Sequence, residues 1–257
     1  MNTPDASEPH GNAKVRLSRL RRRIAENVSE SRRTAAHVWT AVEVDYEALE
    51  QVRRRHRSEF REREGFSLTY LPFIATATID ALAAFAEVNS SVDFADGSQT
   101  MHEGVNLGVA VDLDRAGLIV VVIHDADDLT LVELARAIHE LAGRARAGDL
   151  RPAHVSGSTF TITNPGSFGS FMSAPIINQP NVAILATDGV AKRPTVVAGA
   201  DGSDSVAVHH IGHLGLSWDH RAFDGSSAAL FLGRIRDSIQ TWDWERHLTG
   251  GDSAPEG

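Results

Sequence analysis

The chain contains no cysteine. Disulfides, thiolate metal sites and a cysteine nucleophile are therefore all excluded. Lysine is nearly absent too: Lys14 and Lys192 are the only two, and every other basic residue is arginine. There is no run of 18 apolar residues, so no membrane-spanning helix is expected. The opening stretch Met1–Val15 has no apolar segment of the secretory kind. Positive charge is in deficit, with a formal net charge of −9, which argues against nucleic acid as the main partner. Long Pro/Ser linkers and internal repeats are missing as well. The remaining reading is a globular cytoplasmic protein with neither a membrane nor a nucleic-acid partner.

What is present fits that class. The 257 residues, 42% hydrophobic and 23% charged, suffice for a sizeable core. Residues 1–14 and 249–257 are polar and Gly/Pro-bearing, and read as a flexible lead-in and tail around one domain at 15–248. Ser18 is placed to cap a helix on which Leu20, Ile24 and Val28 recur at helical spacing. The alternating stretch at 37–45 reads as a strand, and Asp45 as the start of an amphipathic helix through Leu49 and Val52. An apolar helix follows Pro72, and another spans 129–146. Strands are expected at 105–112 and 117–124, paired as a hairpin around Asp114–Gly117. Further strands are expected at 158–163, 182–187 and 206–218, with a helix at 224–240. Helices and strands mix without regular alternation, which predicts an α+β fold with a mixed sheet and flanking helices.

Two segments carry candidate chemistry. In Ser217–Gly225 a strand ends at His220, and a helix begins four residues later with Asp224-Gly225. Such a junction can present an imidazole at a sheet edge, with Asp224 favoured at the helix N-terminus. Taken alone, the pattern fits a loop histidine beside a capping aspartate equally well. In Phe160–Ser170 a β-run breaks into a Gly/Pro turn rich in hydroxyls. Those residues stabilise turns locally, and they can also offer an oxyanion donor at a strand end. A metal site is not expected. His209 and His213 would lie about 13 Å apart on an extended strand at ~3.3 Å per residue, too far to share an ion.

Together these segments resemble the dihydrolipoamide acyltransferases of 2-oxo acid dehydrogenase complexes, a family with the chloramphenicol acetyltransferase-like fold. The resemblance is carried by His220 with Asp224-Gly225, by Leu214–Ser217 before them and by Ala228–Leu232 after them. Thr161–Asn164, Pro175–Asn178 and Ala183–Leu185 match in the same order, as do Arg21–Ala25, Gly108–Asp112 and Lys192–Pro194. The match covers roughly residues 15–245. Chloramphenicol acetyltransferases and peptide-synthetase condensation domains usually read His-His, whereas Asp219 precedes His220 here.

The resemblance implies an acyl transfer between a dihydrolipoyl thiol and coenzyme A. His220 would be the general base, and Thr163 the donor to the oxyanion. Asp224 would hold the loop, ion-paired with Arg21. A thiol titrates near ~8.5 and a histidine near ~6.5, so a positioned imidazole can take a thiol proton close to neutral pH. Ser170, Ser173 and Asp188 fall in the acyl pocket, where a carboxylate would repel a succinyl group and so disfavours it. Lys192 and Arg193 are candidates for a coenzyme A phosphate contact. Coenzyme A is a substrate, no metal is needed, and the lipoyl group comes from another chain. Expected partners are a homotrimer, a larger cubic shell built from it, a lipoyl-bearing protein and the dehydrogenase components. The absence of room for a lipoyl domain in residues 1–14 keeps one rival open, a stand-alone acyltransferase using a carrier protein or small acceptor. The intact His220, Thr163 and Asp224 count against another, a non-catalytic assembly core. Val120–Val122 and Ala86–Val88 stand where the family often has proline, which bears on pocket shape.

Overall fold

The computed structural model describes residues 15–114, 117–199 and 201–250. The expected terminal segments, residues 1–14 and most of 249–257, lie outside these residues, as does Lys14. In chain order the elements are α1 (Arg19–Thr34), β1 (His37–Asp45), α2 (Glu47–Glu64), α3 (Leu71–Ala84), β2 (Ser90–Asp93), β3 (Ser98–Met101), β4 (Leu107–Asp112) and β5 (Leu118–Ile123). They continue with α4 (Leu131–Ala147), β6 (Phe160–Thr163), β7 (Ala183–Thr187), β8 (Ala191–Ala198), β9 (Asp204–Asp219), α5 (Gly225–Thr241) and α6 (Trp244–Thr249).

Seven strands form one mixed sheet in the order β1-β9-β7-β6-β4-β5, with β8 paired to the outer half of β9. β4, β6 and β7 run parallel, whereas β9 is antiparallel to β1, β7 and β8, and β5 to β4. The expected α+β architecture and the β4–β5 hairpin are therefore present. Alternation divides the sheet into two faces. Leu214, Leu216 and Trp218 of β9 join Leu185, Phe160, Ile162 and Val109 in the buried core under α3, α4 and α5. There Phe231 of α5 meets Phe160 edge to face at 5.8 Å, a geometry that adds to the burial of both rings. The opposite face carries Thr161, Thr163, His213, Gly215 and Ser217. The 164–182 loop lies over it, with Phe171 against His213, Ser173 O over Gly215 and Asn178 donating to Thr161 Oγ1.

α1 is capped as read: Ser18 accepts from Arg21 N at 3.1 Å. Leu20 and Ile24 lie against Gly117 in the β4–β5 turn. At the other end Ser31 donates to Ile177 O at 2.6 Å. The helix thus crosses the molecule from the β4–β5 turn to the end of β9.

Some sequence expectations need correction. Asp45 closes β1 rather than opening α2; its carboxylate accepts from Glu47 N at 2.8 Å while Tyr46 takes the cap position. β8 was not expected, and Lys192 lies within it. β8 is an edge strand, which tolerates Pro194 because one side needs no donor. The polar hairpin β2–β3 and the six-residue α6 also escaped periodicity. Among the described residues no helix is long and apolar enough to cross a membrane.

Candidate active site

His220 directly follows β9, at the point where the chain turns toward α5. Its backbone is held: His220 N donates to Ala36 O at 3.0 Å. Its imidazole is about half exposed, with Nδ1 3.8 Å from Asp224 Oδ1. That distance exceeds a hydrogen bond, and the Asp224 side chain is 85% exposed, so the pair contributes little rigidity. Asp224 occupies the N-cap position of α5 without accepting a capping hydrogen bond.

The stronger anchor is one that sequence reasoning missed. Asp219 is buried and accepts from Ala36 N at 3.1 Å, Arg221 N at 3.1 Å and Arg221 Nη2 at 2.7 Å. Arg221 also donates to Thr34 O and lies over the Phe94 ring at 3.8 Å. Burial alone would raise the Asp219 carboxyl; the hydrogen bonds from Arg221 and Ala36 overcome it and hold the pKa below the ordinary value. The available signal was an oppositely charged pair, Asp219 and Arg221, flanking His220 where the strand turns toward the helix. Together the pair clamps the residues flanking the imidazole to the α1–β1 junction.

Thr163 ends β6, partly buried, before the short turn Pro165–Phe168. The turn packs so closely on β7 that a Cβ at Gly166 would meet Asp188 C at 2.5 Å and Asp188 O at 2.6 Å. Only glycine fits without backbone movement. Beyond it, Asp188 organises the loop. Its carboxylate accepts from Ser170 Oγ at 2.6 Å, Ser173 Oγ at 2.7 Å and Ser173 N at 3.0 Å. Ser170, Ser173 and Asp188 are therefore brought together, with the carboxylate directed into the loop. Trp39 Nε1 donates to Ser173 O at 2.8 Å, over Gly215, where a Cβ would meet that oxygen at 2.8 Å.

Other sequence candidates are not brought together. Thr163 pairs with Ala186, which pairs with Gly215. His220 lies five residues beyond Gly215, just past the end of β9, at the opposite end of the sheet. Arg21 sits near the start of α1, at the Gly117 end, and makes no ion pair with Asp224 within the chain. Thirteen helical residues separate Arg21 from Thr34, about 20 Å at ~1.5 Å per residue, and Thr34 is where Arg221 docks. Lys192 and Arg193 are successive residues of β8, so their side chains leave opposite faces of the strand. Arg193 stacks over Phe171 at 4.6 Å, while Lys192 is exposed. The β9 histidines engage carboxylates: His209 with Asp45 at 2.5 Å, His210 with Glu47 at 2.6 Å and His213 with Glu43 at 3.7 Å. Among the described residues no cluster of three or more His, Asp or Glu is arranged to hold a metal ion.

Residues 9–247 match the family model described as 2-oxoacid dehydrogenases acyltransferase (catalytic domain). The chain is 42% identical over 91% of its length to the dihydrolipoyllysine-residue acetyltransferase component of the pyruvate dehydrogenase complex of Mycobacterium bovis. It is 37% identical over 88% of its length to the succinyltransferase component of the 2-oxoglutarate dehydrogenase complex of Bartonella vinsonii. It spans 42% and 53% of those two relatives. The fold superposes on the dihydrolipoamide acetyltransferase of Azotobacter vinelandii with a TM-score of 0.84, at 31% identity, covering 93% of this chain and 94% of that one. In that enzyme a serine, a histidine and an asparagine were investigated for their roles in the catalytic mechanism. By sequence and by fold, this chain belongs to the family of 2-oxoacid dehydrogenase acyltransferase catalytic domains.

Proposed function

We propose that the chain, as one catalytic domain over residues 15–248, moves an acyl group between a dihydrolipoyl thiol and coenzyme A in a 2-oxo acid dehydrogenase system. Its active site is completed by a second copy of the chain. The observation that carries this reading is the placement of His220 and Thr163. With five residues of strand and two strand spacings between them, the two are roughly 19 Å apart at ~3.3 Å per residue and ~4.8 Å per strand. No thioester carbonyl can touch both groups in one chain. A neighbour that presents its Thr163 end to this chain's His220 end closes the gap.

The chemistry follows from that pairing. The His220 imidazole takes the proton of the incoming thiol. The thiolate attacks the thioester carbonyl, and the resulting oxyanion accepts a hydrogen bond from a Thr163 hydroxyl. Collapse expels the second thiolate, which recovers the proton from the imidazolium. A thioester is consumed and a thioester is formed, so the step is nearly balanced. Asp219 and Arg221 keep the imidazole at the mouth of the site.

The same arrangement revises the Arg21–Asp224 pair. Arg21 stands at the Thr163 end of the molecule, so a neighbour offering Thr163 also brings Arg21 toward Asp224. The pair then forms across the interface. An exposed pair is worth at most ~1 kcal/mol, so its role is registration more than stability. Lys192 remains the candidate for a coenzyme A phosphate; Arg193 faces the Phe171 loop instead. A cyclic homotrimer is the smallest closed assembly we propose, with a cubic shell as the next level. The lipoyl group is supplied by a lipoyl-bearing partner working with dehydrogenase components in the cytoplasm. Incubating the chain with acetyl-CoA and dihydrolipoamide should yield S-acetyldihydrolipoamide and free coenzyme A. Absence of transfer from acetyl-CoA, succinyl-CoA and branched-chain acyl-CoA alike would contradict the proposal.

A further inference from the structure

Among the described residues, three buried side-chain polar atoms lack a hydrogen-bond partner: Asn89 Oδ1, Arg193 Nε and His213 Nδ1. Buried polar atoms are rarely left so, and each instance calls for an explanation. Two of the three meet on one aromatic ring. The Arg193 guanidinium lies 4.6 Å over the centre of Phe171. The His213 imidazole lies 4.7 Å from the same ring, tilted by 59°. His213 is only 6% exposed, whereas Phe171 is 54% exposed. The ring thus contacts both a cation and a buried imidazole.

The backbone under this cover is fixed. Ser170 and Ser173 flank Phe171 and Met172, and both are tied to Asp188. The ring itself stacks with Arg193 and His213 and is about half exposed. Asp188 lies two residues beyond the partner of Thr163, about 7 Å at ~3.3 Å per residue. Asp188 N donates to His213 O at 3.1 Å. His213 and Thr163 occupy the same face of the sheet. An acyl group whose carbonyl oxygen meets Thr163 and whose chain follows the loop therefore reaches this trio after a few carbons. Two carboxylates lie nearby: Asp188, turned into the loop by three neutral donors, and Glu43, 3.7 Å from His213 Nε2 and largely in solvent.

We propose that Phe171, Arg193 and His213 set acyl-chain selectivity, with Phe171 closing off a carboxylate-binding pair formed by Arg193 and His213. This rests on the acyltransferase reading above. With the ring in place, the cleft ends in an apolar wall and takes short neutral acyl groups. With the ring removed, a permanently charged guanidinium and a ring nitrogen face the chain's end, a donor set suited to a carboxylate. The residues are this chain's own selectivity device, distinct from the general base and the oxyanion donor.

The test uses the full chain and two readouts. In calorimetric titration with succinate, and with acetate as control, Phe171→Ala should bind succinate at least ~10-fold tighter than the unaltered protein. Adding Arg193→Gln should abolish that gain. In transfer to dihydrolipoamide, the kcat/KM ratio of succinyl-CoA to acetyl-CoA should rise at least ~10-fold in Phe171→Ala. Phe171→Leu, which keeps the apolar cover, should leave the ratio near that of the unaltered protein. The proposal is overturned if succinate affinity in Phe171→Ala stays within about twofold, or if the gain survives Arg193→Gln. If neither acyl-CoA reacts with any variant, the acyltransferase reading fails, and the succinate titration still decides this one.

Discussion

Thr163 and His220 stand at opposite ends of one β-sheet, because β9 runs antiparallel to β7 while β6 runs parallel to it. A parallel pair brings its C-terminal ends together; an antiparallel neighbour carries its own C-terminus away. The two residues with the clearest chemistry are therefore kept apart by topology, and no side-chain motion closes ~19 Å.

Replacing the imidazole should remove catalysis and leave the fold. His220 is half exposed and belongs to no buried cluster, so His220→Ala should melt close to the unaltered protein. Transfer from acetyl-CoA to dihydrolipoamide should fall at least ~10²-fold, the lower range for general-base catalysis. A near-unaltered rate in a folded variant would end the assignment.

The oxyanion role makes a sharper distinction. Thr163→Val keeps the shape and loses the hydroxyl, so it should cost about 2.7–4 kcal/mol of transition-state stabilisation. Thr163→Ser keeps the hydroxyl and should retain most activity. Equal rates for valine and serine would remove Thr163 from the chemistry.

The turn beside Thr163 offers a packing test. A Cβ at Gly166 would sit 2.5 Å from Asp188 C, so Gly166→Ala must push the turn off β7. Overpacking of this kind costs about 1–3 kcal/mol, and the displaced turn should carry the Thr163 hydroxyl with it. Denaturant midpoints and transfer rates should both fall. A variant that matches the unaltered protein in both would mean the turn adapts freely.

Acid stability follows from Asp219. Its folded pKa is held low, although burial alone would raise it, because Arg221 and Ala36 donate to the carboxylate. A depressed folded pKa stabilises the fold above the unfolded value of about 3.9. That contribution is lost as pH falls through the lower, folded value. Asp219→Asn should therefore be less stable than the unaltered protein at neutral pH, and its stability should fall less between about pH 4 and pH 2. Urea midpoints across that range give the comparison; parallel curves would contradict it.

Much of the fold was legible because local pattern and tertiary role agreed. The alternation at 37–45 gave β1 its bounds, since one side packs inward and the strand pairs along its whole length with β9. The valine-rich run paired as the expected hairpin. β8 was hidden because Pro194 and the exposed Val196 obey no inward rule on an edge strand. His220 was legible as a strand-end histidine, but its anchor was not. The bonds from Asp219 to Ala36, and from Arg221 to Thr34, join residues more than 180 positions apart. The Arg21–Asp224 pair failed within one chain for the same reason: sequence spacing does not say which end of a long helix faces a given loop. The convergence of Arg193 and His213 on Phe171 depends on β8, a strand that periodicity did not show.

Mixed assembly tests most directly whether the reacting pair, His220 and Thr163, belongs to two chains. Equal amounts of His220→Ala and Thr163→Val chains are unfolded together and reassembled, each being nearly inactive alone. In a cyclic trimer with random assembly, a site regains both groups only when its His220 donor and its Thr163 donor are the complementary variants. That occurs with odds of 1/2 × 1/2, about one site in four. Activity near a quarter of the unaltered enzyme is the predicted result. Activity that stays at the level of the separate variants, while mass measurement finds mixed trimers, would place both groups in one chain and contradict the account.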